Sequence, residues 1–133
     1  MRGAIIVGTF FVATILLMSF DVQKFDLKAS IERGQEVYNM NCTSCHMEKG
    51  EGIEGAFPPL AKSDYLMADK NRSIKQILEG ASGEMTVNGK TYNGEMPPID
   101  LTDEQVSDVL NYVRNSWGNK GAAVTPAEVK AQR

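Results

Sequence analysis

The chain is short and slightly acidic, which limits what it can be. Its 133 residues include 14 Lys and Arg against 17 Asp and Glu, a formal net charge of −3. Once an N-terminal targeting segment is set aside, this length fits one small domain and excludes a second. All the acidic residues lie after Phe20, and an acidic domain of this kind is not expected to bind nucleic acid.

The first 20 residues predict a membrane-directing segment. Residues 3–20 form a run of 18 residues without charge, preceded by Arg2 and followed by Asp21. Because the positively charged end of such a segment stays in the cytoplasm, the end with Arg2 is expected there. The run approaches spanning length and has no small-x-small cleavage site near Ser19. We therefore expect an N-terminal hydrophobic helix that anchors an exported chain at the outer face of the cytoplasmic membrane. A cleaved signal and a free periplasmic chain are the alternative.

A linker and the first half of a domain follow. Residues 21–29 mix charged and apolar residues without a period and predict a linker. The domain is expected over residues 30–118, and it starts with a helix that Ser30 caps and that delivers Cys42 from its C-terminal end. Glycines and prolines up to Pro59 then predict a rigid loop.

The next segments are helical and are interrupted by one hairpin. Residues 62–68 predict a short helical turn, and residues 72–79 predict a helix that ends before Gly80. The pair Asn88-Gly89, flanked by β-branched residues, predicts a two-residue β-hairpin. One hairpin is too short to make a sheet domain.

The last long helix and a tail complete the chain. Thr102 and Gln105 form a capping box for a helix that reaches about Trp117. Thr125, followed by proline, begins a short terminal helix in a C-terminal tail, residues 119–133. The predicted fold class is therefore all-α.

A five-residue motif holds both cysteines and the only histidine of the chain. Cys42-Thr43-Ser44-Cys45 is followed at once by His46. In one helical turn the two thiols lie close enough to add across the two vinyl groups of a haem, and the next residue directs its imidazole at the iron. The motif therefore predicts one covalently bound haem c, with His46 as an axial iron ligand.

Other interpretations of this motif are weaker. A disulfide is the usual pairing of two cysteines in an exported chain, but the adjacent histidine gives this spacing a different meaning. A thioredoxin-like redox pair requires a βαβ context, which the predicted elements lack. A zinc site requires two further Cys or His ligands, and the sequence contains none.

The second axial ligand must be a methionine or a weaker group, because no second histidine exists. Four of the seven methionines lie in the N-terminal segment or next to the attachment motif, which leaves Met67, Met85 and Met96. Met96 alone lies between a glycine turn and two prolines, and such a rigid loop can hold a thioether sulfur on iron. Methionine is a common core filler, so Met85 and Met67 remain alternatives to Met96.

These residues resemble those of the class I monohaem cytochromes c. The resemblance covers about residues 30–118 and is carried by five motifs: Gly34-x-x-x-Tyr38, Cys42-x-x-Cys45-His46, Pro58-x-Leu60, Gly94-x-Met96-Pro97-Pro98 and Leu110-x-Tyr112. Residues 91–98 are also similar to cytochrome c domains that serve copper nitrite reductases and haem-copper oxidases. The resemblance implies a class I cytochrome c fold, with helices around one covalently bound haem and a small β-hairpin.

The resemblance also implies roles for individual residues. The first and last long helices are expected to cross at Gly34. The Pro58 carbonyl is expected to accept a hydrogen bond from the imidazole of His46, and Leu60 is expected to pack on the porphyrin. The alternative role of Pro58 is only to stiffen its loop.

The hairpin from Met85 to Tyr92 departs from the resembled pattern, because shorter relatives run directly from a helix to the methionine loop. Two roles are open for it. It covers the haem propionates, with Tyr92, Asn93 or Lys90 as hydrogen-bond donors, or it lies free in solvent.

A haem that His46 and Met96 ligate on both sides has no open position for a substrate. The sequence therefore predicts a single-electron carrier and not an enzyme. The expected partners are redox proteins, a membrane quinol-oxidising complex as donor and a terminal reductase or oxidase as acceptor, with no small-molecule substrate. The alternative function is that of a haem subunit in a larger oxidoreductase complex.

Overall fold

The computed structural model describes residues 24–133. Their regular secondary structure is mostly helical, as predicted, with one small antiparallel sheet. The elements in chain order are α1 (Leu27–Asn41), α2 (Thr43–His46), α3 (Asp64–Ala68), α4 (Lys70–Glu79), β1 (Met85–Val87), β2 (Lys90–Tyr92), α5 (Asp103–Val113) and α6 (Pro126–Lys130). The predicted N-terminal hydrophobic helix, residues 3–20, lies outside the described residues. From residue 24 onward, no helix is long and apolar enough to cross a membrane.

Helices α1 and α5 form the most extensive contact between helices and cross at Gly34. A Cβ at Gly34 would lie 1.9 Å from the Asp108 carbonyl oxygen and 2.9 Å from Tyr112 Cβ. Only glycine allows the two backbones to approach this closely. The crossing also brings Tyr38 against Tyr112, with ring centroids 5.4 Å apart.

The predicted start of α1 at Ser30 is wrong. The helix includes residues 27–29 of the predicted linker, and the Asp26 carboxylate caps it by accepting a 3.1 Å hydrogen bond from a first-turn N–H. Ser30 is fully buried, and its hydroxyl donates to the Asp108 carboxylate at 2.5 Å. Arg33 also donates to this carboxylate, at 2.7 and 2.8 Å, so the buried charge is paired.

Helix α5 ends at Val113, earlier than the predicted end near Trp117. The Asn119 side-chain amide donates to the Val113 carbonyl at 2.7 Å and to the Leu60 carbonyl at 2.8 Å. It therefore provides a partner for a carbonyl at the helix end. Trp117 adopts a left-handed φ of 53°, and its ring packs on Tyr38 with centroids 5.2 Å apart.

The C-terminal tail packs on α5 and belongs to the same core. Val124 and Val129 are fully buried. The Asn111 side chain donates to the Val124 carbonyl at 2.8 Å and accepts from the Val124 N–H at 2.7 Å. Helix α6 begins after Thr125, as predicted, and Thr125 and Glu128 form a capping box there. An ion pair of 2.5 Å between Lys70 and Glu128 connects α6 to α4.

Strands β1 and β2 pair as an antiparallel hairpin around Asn88-Gly89, as predicted. Both turn residues have positive φ, 51° and 76°, the geometry that this dipeptide favours in hairpins. The backbone N–H of Asp64 donates to the Asn88 side chain at 3.1 Å, and the Asn88 N–H donates to the Asp64 carboxylate at 2.8 Å. Lys90 pairs with Glu54 at 2.7 Å. The hairpin is therefore docked on α3 and on the loop after α2.

Candidate functional site

One large apolar cavity lies between α3, α4, α5, the hairpin and the two proline-containing loops. Its empty volume is about 1140 Å³ when its open mouth is included, which is enough for a cofactor-sized ligand. All six residues that the sequence nominated for the site line it: Cys42, Cys45, His46, Pro58, Leu60 and Met96.

His46 presents a neutral imidazole with one free nitrogen. Its Nδ1 lies 2.9 Å from the Pro58 carbonyl oxygen. Since a carbonyl oxygen can only accept, Nδ1 carries the proton and Nε2 keeps its lone pair. Nε2 has no hydrogen-bond partner within residues 24–133. Burial lowers the pKa of His46 although the Pro58 hydrogen bond raises it, so the ring stays in the neutral form that binds a metal.

The loop between His46 and Pro58 is fixed by its own backbone. The Gly52 N–H donates to the His46 carbonyl at 3.0 Å, and the Leu60 N–H donates to the Gly50 carbonyl at 2.7 Å. Gly52 has a φ of 65°, and a Cβ there would meet the Pro58 carbonyl oxygen at 2.8 Å. Glycine is required at this position because the chain must pass close to the carbonyl that holds the imidazole.

The two thiols are free and lie one helical turn apart. Burial, and then the neighbouring Cys45, raises the pKa of the Cys42 thiol to about 11. A thioredoxin-like pair needs a thiol whose pKa is lowered, so this environment disfavours that chemistry. In the part of the chain that the structure describes, no group of three His, Cys, Asp or Glu side chains could hold a metal ion.

The candidate methionines differ in their positions. Met96 and Met85 line the cavity, whereas Met67 is not among the lining residues and lies beside Gly121. The Met96 N–H donates to the Ala81 carbonyl at 2.8 Å, and the Met96 carbonyl accepts from the Ala81 N–H at 2.9 Å. This pair of hydrogen bonds fixes the main chain of Met96, so its side chain projects from a defined point.

Part of the cavity lining is polar. Tyr65 and Gln76 belong to it, and the Gln76 amide donates to the Tyr65 hydroxyl at 3.2 Å. Tyr92 also lines the cavity and is only 4% exposed. Sequence analysis missed Tyr65 and Gln76, because two isolated polar residues on short helices form no motif. It named Tyr92 only as one of three possible donors on the hairpin.

The residues present fit a covalent haem c. Two free thiols and an imidazole with a free Nε2 lie on the wall of a cavity whose remaining lining is mostly apolar. This set provides two atoms for thioether bonds, one nitrogen for the iron, and a surface that excludes water from the ring.

Comparison with known proteins also supports a covalently bound haem c. The family model described as "Cytochrome c" matches residues 31–117. Cytochrome c-552 of Thermus thermophilus is 38% identical over 91 residues, which are 65% of this chain and 69% of that protein. The cytochrome c subunit of alcohol dehydrogenase (quinone) from Gluconobacter oxydans is 32% identical over 96 residues, 71% of this chain. Cbb3-type cytochrome c oxidase subunit CcoP of Azospirillum brasilense is 31% identical over 98 residues, 69% of this chain.

The last two relatives are much longer than the region they share with this chain. The matched region is 20% of the dehydrogenase subunit and 30% of the oxidase subunit. The similarity therefore concerns only a part of each of these two proteins. Because the family model spans most of residues 24–133 and the cavity fits a covalently attached haem, the chain belongs to the cytochrome c family and is an electron carrier with a covalent haem c.

Proposed function

We propose that His46 and Met96 are the two axial ligands of the haem iron and that Cys42 and Cys45 form the thioether bonds. The observation that carries this proposal is that these four side chains line the same cavity. When bound there, haem c supplies a one-electron ferric/ferrous couple. If His46 and Met96 both held the iron, no position on it would remain for a substrate.

The chain's own residues tune this site. The Pro58 carbonyl accepts the Nδ1–H of His46, which fixes the ring orientation and makes the imidazole a more basic ligand. The Ala81 backbone holds Met96 in place, and a thioether ligand favours ferrous iron more than a second imidazole would. Leu60, which is partly buried at the cavity wall, would pack on the porphyrin when haem is bound.

The proposed task is to pass single electrons from a membrane quinol-oxidising complex to a terminal reductase or oxidase. The work is done in the periplasm or at the outer face of the cytoplasmic membrane, with residues 3–20 as the anchor. The uncharged run behind Arg2 supports this location. Carriers of this kind need short-lived contacts with their partners, so a modest contact area suffices.

A second candidate function is that of a haem subunit in a larger oxidoreductase. The similarity to a subunit of an alcohol dehydrogenase and to a subunit of an oxidase favours it. The two candidates differ in their association, because a subunit copurifies with its catalytic chain from membranes whereas a carrier does not.

The ligand assignment is tested by Met96→Ala, with Met85→Ala as the matched control because Met85 also lines the cavity. Met96→Ala is expected to abolish the weak near-red absorption band of methionine-ligated ferric haem and to lower the reduction potential. It is also expected to let imidazole or carbon monoxide bind. Met85→Ala is expected to change none of these. The reverse pattern would show that the sulfur on iron belongs to Met85.

A further inference from the structure

We infer that Arg114 raises the reduction potential of the haem, because its buried guanidinium places a positive charge without a counter-ion beside the haem cavity. The inference requires that haem c occupies the cavity, and it does not depend on which side chain is the second axial ligand. Ferric haem carries one more positive charge than ferrous haem. A fixed cation nearby therefore disfavours the ferric state, and it does so more strongly in a protein interior than in water.

Arg114 is one of two charged residues that are buried among residues 24–133. The other is Asp108, whose carboxylate forms a salt bridge of 2.7 Å with Arg33. Arg114 is 5% exposed and forms no salt bridge in the same part of the chain. Burial lowers the pKa of Arg114, but a guanidinium remains protonated in proteins. Its positive charge is therefore buried without an anionic partner.

The groups around the Arg114 guanidinium are dipoles and not charges. Nη1 donates a 3.0 Å hydrogen bond to the Leu66 carbonyl oxygen in α3, and Nε is buried without a hydrogen-bond partner. A Cβ at Gly121 would lie 3.1 Å from both Nε and Nη2, so the C-terminal tail packs directly on the guanidinium. A buried charge of this kind is screened by salt much less than a charge at the surface.

Arg114 lies directly behind the cavity wall. Its neighbour Val113 lines the cavity, and so does Leu66, whose carbonyl oxygen accepts the hydrogen bond. Arg114 itself is not among the lining residues, so its effect on the haem passes through its charge. The only ionised side chain in the lining is that of Glu95, which is exposed and therefore screened by water.

Arg114→Gln in the haem-loaded protein tests the inference, because glutamine removes the charge but keeps an N–H donor for the Leu66 carbonyl. We expect the ferrous-to-ferric ratio at the wild-type midpoint to fall two- to tenfold, a drop of about 18 to 59 mV for a one-electron couple. This range takes an effective dielectric constant of about 20 for the interior. Arg114→Lys keeps the charge and is expected to keep the wild-type potential. Lys120→Gln, the matched control, removes the same charge from an exposed position in the tail and is expected to change nothing.

The stability of the two oxidation states separates this charge effect from a structural one. Because reduction and folding are linked, the ratio of the ferrous to the ferric folding constant must fall in Arg114→Gln by the same factor as the ferrous-to-ferric ratio. A purely structural loss lowers both folding constants equally. Guanidinium denaturation of the ferric and ferrous proteins measures the two constants. Arg114→Met is a second neutral variant for the same measurements.

A wild-type potential in both neutral variants overturns the inference, and so does an equal fall in Arg114→Lys. An equal fall in Lys120→Gln also overturns it, because an exposed charge would then act as strongly as the buried one. Loss of the near-red methionine band in Arg114→Gln overturns it as well, since the effect would pass through the axial ligand. Absence of that band in wild type would instead refute the proposed ligand and leave the comparison of potentials intact.

Discussion

Gly34→Ala tests the closest approach of two helices in the fold. The added Cβ would lie 1.9 Å from the Asp108 carbonyl oxygen and 2.9 Å from Tyr112 Cβ. Carbon normally approaches a carbonyl oxygen to about 3.3 Å, so α1 and α5 must separate by roughly 1.4 Å at this point. A gap of that size removes much of the dispersion energy along the interface. It also draws the Asp108 carboxylate away from Ser30, whose hydroxyl now lies 2.5 Å from it.

The size of the effect follows from this geometry. Overpacking costs about 1–3 kcal/mol and sometimes more, and Gly34 lies at the upper end because the obstructing atoms are backbone. The better helix propensity of alanine offsets about 1 kcal/mol of this. We expect a net loss of at least about 2 kcal/mol in the free energy of unfolding, which is roughly thirtyfold in the folding equilibrium.

Guanidinium denaturation of the haem-loaded protein, followed by far-UV circular dichroism, measures this loss. Gly94→Ala is the matched control, because a Cβ at Gly94 would meet nothing closer than the Ala56 carbonyl oxygen at 3.4 Å. The control is expected to lose no stability. Wild-type stability in Gly34→Ala, with an unchanged denaturant slope, would refute the close contact at the crossing.

Two further predictions concern charge and attachment. The hydrogen bond from Lys70, the largest cause, lowers the pKa of Glu128 from 4.5. The stabilisation that the ionised Glu128 carboxylate gives the folded state is therefore present above pH 4.5. It is lost as the pH falls through the lowered pKa that Glu128 has in the folded protein. Glu128→Gln is expected to lower the free energy of unfolding by about 0.5–1 kcal/mol at pH 7 and to have little effect near pH 3, measured by thermal melts at both pH values. For attachment, haem staining of denaturing gels is expected to detect haem in wild type and none in the double variant Cys42→Ser with Cys45→Ser, because thioethers survive unfolding.

The features that the sequence predicted correctly depend on residues close together in the chain. A capping box needs a hydroxyl and an amide or carboxylate three positions apart, and the predicted box at Thr102 is present. The predicted helix start at Thr125, followed by proline, is also present. The hairpin needs two turn residues that tolerate positive φ, and Asn88-Gly89 provides them. Such signals act within one turn, so distant contacts rarely override them.

The two wrong helix boundaries depend on residues far away in the chain. Ser30 and Asp26 are both good N-cap residues, but the Ser30 hydroxyl is bound by Asp108, 78 positions along the chain. The end of α5 depends on Asn119, whose amide binds the carbonyls of Val113 and Leu60. Helical periodicity carries no information about either contact, so it misplaced both ends.

The cavity lining shows the same division. The five-residue motif correctly placed Cys42, Cys45 and His46 at the cavity, because covalent attachment of a haem would require this local spacing. Tyr65, by contrast, reaches the cavity because α3 is docked beside the hairpin, an arrangement that the paired hydrogen bonds of Asp64 and Asn88 stabilise. A motif can identify residues whose chemistry depends on their spacing within one helical turn. Which residues line a cavity depends instead on how helices and strands that are distant in the chain pack together.

Both proposed axial ligands are held by main-chain atoms. The Pro58 carbonyl oxygen holds the His46 imidazole, and the N–H and carbonyl of Ala81 hold the backbone of Met96. Every residue has a carbonyl and nearly every residue has an N–H. The identity of a side chain therefore says little about whether the main chain of that residue positions a ligand. This is why the sequence could nominate the ligands from their chemistry while Ala81 left no recognisable signal. It also follows that the backbone course of the two loops, and not any one side chain, positions both ligands.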